Sequence, residues 1–298
     1  MPPRLRLSPR NAEPLTVPVG PGDVHVERYG FGGPPVVLLH GFGTSSFVWR
    51  NVAPALARAG TTAYAVDLLG YGQSDRPFDA DFGIAGQAGY LERLVTRLEI
   101  APATVVGLDL GGAIALRLAA LHPTLVSKLV LVNPIAFEDV PADDIKTMQT
   151  NTARFAFRVS RGLLGAAPLL DELLRRGVTV PERMPDALVA AYLAPYVGEE
   201  GVNHLLALGR AVDADDLDGL ELRRLPQAAL IVWGDRDPWV GPRMADRLEE
   251  ALPGGRLVRL PGVSRLVPEE APETLIRLIL EFVGQAGQPQ RTAPLSNA

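Results

Sequence analysis

An aspartate stands at a sharp turn in the stretch VVGLDLGGAIALRLAALHP, which covers residues 105–123. Apolar strand-forming residues lead into Asp109, and a helix-like pattern follows it. Gly107, Gly111 and Gly112 flank the turn, and glycines let neighbouring backbones approach closely. A carboxylate at that position can attack a saturated carbon or accept a proton. The chemistry that it can perform depends on which other groups the fold brings to it.

The segments around Asp109 alternate between two kinds of pattern. Short apolar runs rich in Val and Leu predict buried strands of a parallel sheet, and runs with helical spacing lie between them. Such alternation favours an α/β fold with a mostly parallel, doubly wound sheet. The predicted strands cover residues 35–41, 61–70, 103–109, 128–134, 227–235 and 255–262. The predicted helices cover residues 47–60, 82–98, 111–123 and 272–283, with one more beginning near residue 242.

The middle of the chain has a different pattern. Residues 137–222 show helix-like segments separated by Pro and Gly, with no strand pattern. We interpret them as an α-helical cap inserted into a core formed by residues 1–136 and 223–284. The tail of residues 285–298 is polar and rich in Gly, Pro and Gln, which predicts disorder.

Four motifs in this order resemble those of the α/β-hydrolase family. The resemblance covers about Val24 to Val283, and it implies the family's fold with an inserted helical cap. Its motifs are HGFG at residues 40–43, DLLGYGQSDRP at 67–77, the turn around Asp109, and WGDRDP at 233–238. An aspartate at the nucleophile turn is similar to the epoxide hydrolase and haloalkane dehalogenase branch of the family.

The resemblance implies a role for four residues. Asp109 corresponds to the nucleophile, whose attack on a saturated carbon would leave an alkyl ester. Asp237 corresponds to the acid of the catalytic triad. The backbone N–H groups of Phe42 and Leu110 correspond to the oxyanion hole.

The turn after the last strand departs from the family pattern. Ser264-Arg265-Leu266 stands where the family has Gly-His-Phe, so arginine replaces the general base. A guanidinium does not accept a proton at neutral pH. If Arg265 lies between Asp109 and Asp237, we expect it to hold Asp109 ionised and to lower its pKa. In the alternative, Arg265 points into solvent and the site is inactive. His204 is the other histidine considered as a base, but its spacing is typical of an ordinary amphipathic helix position.

Four side chains are candidates for contact with a substrate. His40 belongs to the oxyanion turn, where it supports the loop. Tyr192 and Tyr196 lie four residues apart in the cap and are candidate proton donors, although packing under their own helix is the simpler interpretation. Trp239 follows the turn that carries Asp237.

Composition restricts the partners. The net charge is −5 with no basic block, so we expect no nucleic-acid partner. There is no cysteine, and no His, Asp or Glu cluster has metal-ligand spacing, so we predict neither a metal nor another cofactor. No apolar run reaches membrane-spanning length and the first residues lack the apolar core of a signal peptide. We expect a cytoplasmic protein that binds a small molecule; the sequence does not predict its oligomeric state.

Three functions remain open at this level. The first is non-hydrolytic acid–base chemistry (elimination, isomerisation or cyclisation) with Asp109 as the base. The second is an epoxide hydrolase or dehalogenase type of hydrolysis with an unrecognised base. The third is a catalytically inactive ligand-binding protein. Branch markers are missing for both hydrolases, since Leu110 and Gly43 stand where dehalogenases have Trp and epoxide hydrolases have Pro.

Overall fold

An eight-stranded sheet forms the centre of the computed structural model, which describes residues 12–137, 167–213 and 215–284. The strand order is β1-β2-β4-β3-β5-β6-β7-β8. The first two strands are antiparallel, and β3 to β8 run parallel to one another. The strands are β1 (Glu13–Pro18), β2 (Asp23–Tyr29), β3 (Pro35–Leu39), β4 (Thr62–Val66), β5 (Ala103–Leu108), β6 (Val126–Val132), β7 (Ala228–Gly234) and β8 (Gly255–Leu260).

Helices cover both faces of this sheet. Buried residues of α2, α3 and α7 pack against one face, and those of α1 and α9 pack against the other. The helices are α1 (Ala53–Arg58), α2 (Ile84–Arg97), α3 (Leu110–Leu121), α4 (Ala167–Arg176), α5 (Asp186–Leu193), α6 (Gly198–Ala211), α7 (Arg243–Ala251), α8 (Val267–Glu270) and α9 (Pro272–Gly284). The predicted α/β-hydrolase fold with its doubly wound, mostly parallel sheet is therefore confirmed.

The apolar strands owe their form to burial on both sides. All residues of β4 and β5 are buried, and so are four of the five residues of β3. Beta-branched and other apolar side chains fit such positions, where each face packs against helices. The predicted helix over residues 47–60 is instead a 3-10 turn at Ser46–Trp49 followed by the short α1.

The chain between β6 and β7 is helical in the part that the structure describes. From residue 167 onward it contains α4, α5, α6 and short 3-10 turns, with no strand. Residues 138–166 and the predicted disordered tail at 285–298 lie outside the described residues. The division into a core and an inserted cap at residues 137–222 stays a prediction.

The topology brings the chemically interesting residues to one edge of the sheet. Asp109 directly follows β5, Asp237 comes three residues after β7, and Arg265 comes five residues after β8. Since parallel strands place their carboxyl ends at the same edge, these residues meet there.

Candidate active site

Asp109 lies at the tip of the turn from β5 to α3 in a strained conformation. Its φ of 52° and ψ of −115° are uncommon for a residue with a side chain. The backbone hydrogen bonds hold it there: its N–H donates to Val132 (3.1 Å), and its carbonyl accepts from Gly112 (3.0 Å) and Ile135 (3.2 Å). A Cβ on Gly107 would lie 2.3 Å from the carbonyl oxygen of Gly111, so the close packing at this turn requires glycine.

Backbone amides bind the Asp109 carboxylate. The N–H of Phe42 donates to Oδ2 at 2.9 Å, and the amide of Leu110 also hydrogen-bonds the carboxylate. A Cβ on Gly41 would approach this oxygen to 2.8 Å, which explains the glycine beside Phe42. Phe42 and Leu110 thus lie where the family's oxyanion hole was predicted. Their amides donate to the Asp109 carboxylate, and their role as an oxyanion hole stays a prediction.

Arg265 lies between the two carboxylates. Its Nη1 forms an ion pair with Asp109, and its Nε donates to the two oxygens of Asp237 at 3.0 and 3.3 Å. The residue is only 7% exposed, which excludes the alternative in which it points into solvent. Its Nη2 is buried and has no hydrogen-bond partner among the described residues.

Asp237 is surrounded by donors. Besides Arg265, the side chain of Asn133 donates to Oδ2 at 3.0 Å, and the amides of Trp239 and Val240 donate to Oδ1 at 2.9 and 3.1 Å. Asn133 follows β6 and also accepts the N–H of Gly234 through Oδ1 (2.8 Å). Asn133 was not predicted from the sequence; its position as a polar residue at the end of an apolar strand was the signal that could have indicated it.

Burial and charge act in opposite directions on this cluster. Burial raises the pKa of Asp109 above the ordinary carboxyl value, although Arg265 and the amides of Phe42 and Leu110 act to lower it. The expected lowering of the Asp109 pKa is therefore wrong in its net direction, because the loss of hydration outweighs the ion pair. Burial acts to lower the pKa of Arg265, but the charges of Asp237 and Asp109 outweigh it and raise that pKa. The guanidinium stays protonated.

The turn that carries Arg265 is fixed by the segment after α4. The amide of Leu266 donates to the carbonyl of Gly177 (2.9 Å). The carboxylate of Glu270 accepts the N–H of Ser264 (2.5 Å) and that of Thr179 (2.6 Å). These bonds hold both neighbours of Arg265 in the chain.

A cavity of about 60 Å³ opens over Asp109 and Arg265. Its wall is apolar except for those two side chains and Thr44, whose hydroxyl donates to the carbonyl of Gly41 (2.9 Å). Trp239, which was predicted to contact a substrate, lines the cavity. The described lining residues are Gly41, Phe42, Gly43, Thr44, Leu108, Asp109, Leu170, Leu173, Leu174, Gly177, Trp239, Arg265 and Leu266.

Three predicted substrate contacts are not part of this wall. His40 is fully buried beneath the site, where Nδ1 bonds the carbonyl of Gly41 (2.8 Å) and Nε2 accepts the N–H of Leu68 (3.1 Å). Tyr192 donates its hydroxyl to Glu269 within the opposite core layer. Tyr196 is 1% exposed and packs in the core, and neither tyrosine lines this cavity.

No histidine takes the place of the missing base. His204 bonds the carbonyl of Gly70 (2.6 Å) and packs edge-on against Phe82, on α6 and away from the cavity. His25, His40 and His122 do not line it either. Within the described ranges, no group of three or more His, Asp or Glu side chains could hold a metal ion. No helix there is both long and apolar enough to cross a membrane.

The sheet order, the strained turn and the site at the strand ends together define a hydrolase-type fold, and the comparisons agree. Residues 34–272 match the sequence model of the alpha/beta hydrolase fold. The chain belongs to the alpha/beta hydrolase fold family.

Several known proteins are similar to this chain. A haloalkane dehalogenase of Mycobacterium marinum is 31% identical over 233 residues, which is 74% of each chain. An alpha/beta hydrolase fold protein from Burkholderia ambifaria has a TM-score of 0.77 at 31% identity and covers 87% of this chain and 94% of its own. The haloalkane dehalogenase DbeA from Bradyrhizobium elkani has a TM-score of 0.79 at 26% identity, with 92% and 98% covered. Dehalogenases among the relatives agree with the resemblance described above.

Proposed function

We propose that this chain is an enzyme that uses its cavity for non-hydrolytic proton transfer on a small organic molecule. Asp109 is the base, and the reaction is an elimination, isomerisation or cyclisation. One observation carries the proposal. Arg265 occupies the place between Asp109 and Asp237, and a guanidinium does not activate water.

Asp109 has the properties of a base for a carbon acid. It lines an apolar cavity, and burial raises the pKa of its carboxyl group, which makes it a stronger proton acceptor. In the proposed step a substrate C–H bond breaks and an O–H bond forms on Asp109. The electron pair stays in the substrate, so one negative charge moves from Asp109 to the substrate. Arg265 is adjacent to the carboxylate and stabilises that charge.

Hydrolysis by the route of the relatives lacks a proton acceptor. None of the four histidines lines the cavity among the described residues. Asp237 accepts hydrogen bonds from Arg265, Asn133 and two backbone amides, so its oxygens are already engaged. Once Asp109 is esterified, no described side chain of the cavity wall is left to deprotonate water.

A second candidate function is alkylation of Asp109 by a haloalkane or an epoxide. The bond from Phe42 to Oδ2 favours it, because this oxygen would become the ester carbonyl oxygen after attack by Oδ1. The amides would then stabilise the ester. Without a base the ester would persist, which makes the reaction a single turnover.

Deuterium exchange tests the proposed function. Ketones, esters and nitro compounds with acidic C–H bonds are incubated with the enzyme in D₂O, and mass spectrometry measures the deuterium they take up. We expect exchange with wild type and its loss in Asp109→Asn. Asp186→Asn is the matched control, since that side chain is 96% exposed on α5. Exchange that survives in Asp109→Asn, or no exchange with any compound, rejects Asp109 as the base.

Intact-protein mass tests the second function. After exposure to alkyl halides and epoxides, a stable mass gain that is absent in Asp109→Asn would show alkylation. Arg265→His should then convert the single turnover into repeated hydrolysis, because a histidine there can deprotonate water. An unchanged protein mass without product rules out attack on these carbons.

A further inference from the structure

The guanidinium of Arg265 has one nitrogen that is unpaired among the described residues. Nε donates to Asp237 and Nη1 pairs with Asp109, but Nη2 is buried and has no partner in that part of the chain. Buried polar groups in proteins are nearly always hydrogen-bonded, and an unpaired charged donor is especially costly. The arrangement calls for an acceptor that the described residues do not supply.

The polar side chains of the described cavity wall do not bond this nitrogen. Asp109 already binds Phe42, Leu110 and Arg265, and the Thr44 hydroxyl is bonded to Gly41. The remaining lining side chains are leucines and aromatic rings. Trp239 lies beside the guanidinium, with its ring centre 5.2 Å from Cζ of Arg265, and also lines the cavity. A molecule in this cavity is thus the available source of an acceptor.

The charge of the site decides which kind of acceptor fits. Asp109 and Asp237 carry two negative charges against the one positive charge of Arg265, so the buried cluster has a formal charge of −1. Arg176 also lies over the Trp239 ring, at 5.4 Å, but it is partly exposed and pairs with Glu172 (3.8 Å). An anionic ligand would add a second net negative charge next to Asp109, which burial makes unfavourable. A neutral acceptor avoids this cost.

We propose that the cavity binds a neutral carbonyl compound with an apolar body, whose oxygen accepts a hydrogen bond from Nη2 of Arg265. The leucine-rich wall takes up the body. This inference rests on the proposed function for one step, in which Asp109 removes a proton from the carbon next to the carbonyl. The C–H electron pair becomes the carbon–carbon double bond, the carbonyl π pair moves onto the oxygen, and the enolate oxygen lies beside the guanidinium. In this step Arg265 stabilises the enolate oxygen. The amides of Phe42 and Leu110 do not, because they bind Asp109.

Binding of three ligands with two phenyl groups each tests the proposal without any chemistry. Diphenylmethane is a hydrocarbon, benzophenone replaces its CH₂ with a carbonyl, and diphenylacetate is an anion. Because a hydrogen bond to a charged donor is worth a factor of ten or more, we expect benzophenone to bind about tenfold more tightly than diphenylmethane by calorimetry. Diphenylacetate should bind less tightly than benzophenone at neutral pH and should improve as the pH falls. Equal affinity for benzophenone and diphenylmethane, or tightest binding of the anion at neutral pH, overturns the proposal.

A direct observation of the guanidinium makes the test independent of variants. In protein labelled with ¹⁵N-arginine, the Nη2 resonance of Arg265 should shift with benzophenone and stay in place with diphenylmethane. An unchanged Nη2 signal at saturating benzophenone overturns the proposal. Arg265→Met should lose the preference for benzophenone, and the exposed Arg256→Met should keep it. If Arg265→Met fails to fold, the resonance shift in wild type decides.

The two proposals fail in different ways. Benzophenone has no hydrogen on a carbon next to its carbonyl, so its binding does not depend on proton transfer. Tight benzophenone binding without deuterium exchange in any ketone would keep the carbonyl site and reject Asp109 as a base. Deuterium exchange without any preference for benzophenone over diphenylmethane would keep Asp109 as a base and reject the carbonyl site.

Discussion

Replacing Arg265 with methionine should destabilise the fold strongly. The variant keeps an unbranched side chain of moderate length but removes the charge that pairs Asp109 and Asp237. Both carboxylates are buried, with side chains 11% and 1% exposed. Breaking a buried ion pair by removing one partner costs about 3–5 kcal/mol. This is a large part of the roughly 5–15 kcal/mol by which a domain is stable.

The remaining hydrogen bonds determine which of the two carboxylates loses more stabilisation in Arg265→Met. Asp237 keeps three donors from Asn133, Trp239 and Val240, whereas Asp109 keeps only backbone amides. Adding Asp109→Asn to Arg265→Met should therefore recover part of the loss. We expect the double variant to be more stable than the sum of the single variants predicts, by about 1–3 kcal/mol.

Urea unfolding followed by circular dichroism and tryptophan fluorescence measures these differences, since Trp239 lies beside Arg265 and reports on the site. Arg256→Met is the control, because this side chain is exposed on β8. A loss below about 1 kcal/mol in Arg265→Met, the range of a surface substitution, would refute the reasoning that the guanidinium joins the two buried carboxylates.

Three further predictions concern pH, an internal hydrogen bond and a glycine. Because burial raises the pKa of Asp109 in the folded state, the native protein takes up a proton before the unfolded chain does as the pH falls. The free energy of unfolding of wild type relative to Asp109→Asn should thus rise as the pH falls from neutral toward the ordinary carboxyl value; a fall measured by urea unfolding contradicts this. Tyr192→Phe removes the hydroxyl bonded to Glu269 and should cost about 1–2 kcal/mol with unchanged deuterium exchange, whereas altered exchange would put Tyr192 back in the site. Gly41→Ala should lower exchange about tenfold or more, because the new Cβ would lie 2.8 Å from the Asp109 carboxylate, while Gly241→Ala, which meets nothing within 4 Å, should keep full exchange.

Burial explains which elements were predictable from the sequence. The residues of β4 and β5 are mostly apolar because helices cover both faces, and that pattern is typical of a central strand. β1 was not predicted, since it lies at the sheet edge and only one of its six residues is buried. β1 forms because it pairs with β2, and a local sequence pattern does not show that pairing.

The residues of the site also include some that the sequence predicts and others that it does not. Asp109, Asp237 and Arg265 were predicted because each follows a strand within a recognisable motif, and the fold brings all three together. Their catalytic roles stay predictions. Asn133 and Glu270 were missed because their hydrogen bonds join segments distant in sequence. The raised pKa of Asp109 depends on its burial, which the spacing of residues in the sequence does not give.

The contact between Gly177 and Leu266 links the wall of the cavity to the position of Arg265. α4 supplies Leu170, Leu173 and Leu174 to the cavity wall, and the residue after it, Gly177, accepts the amide next to Arg265. A Cβ on Gly177 would also lie 2.8 Å from the Leu266 side chain. Substitutions that reshape α4 to admit a larger molecule will therefore displace the guanidinium as well. Selection for a new substrate in this protein must change specificity and reactivity together, so laboratory evolution should randomise α4 and the Arg265 turn in the same library.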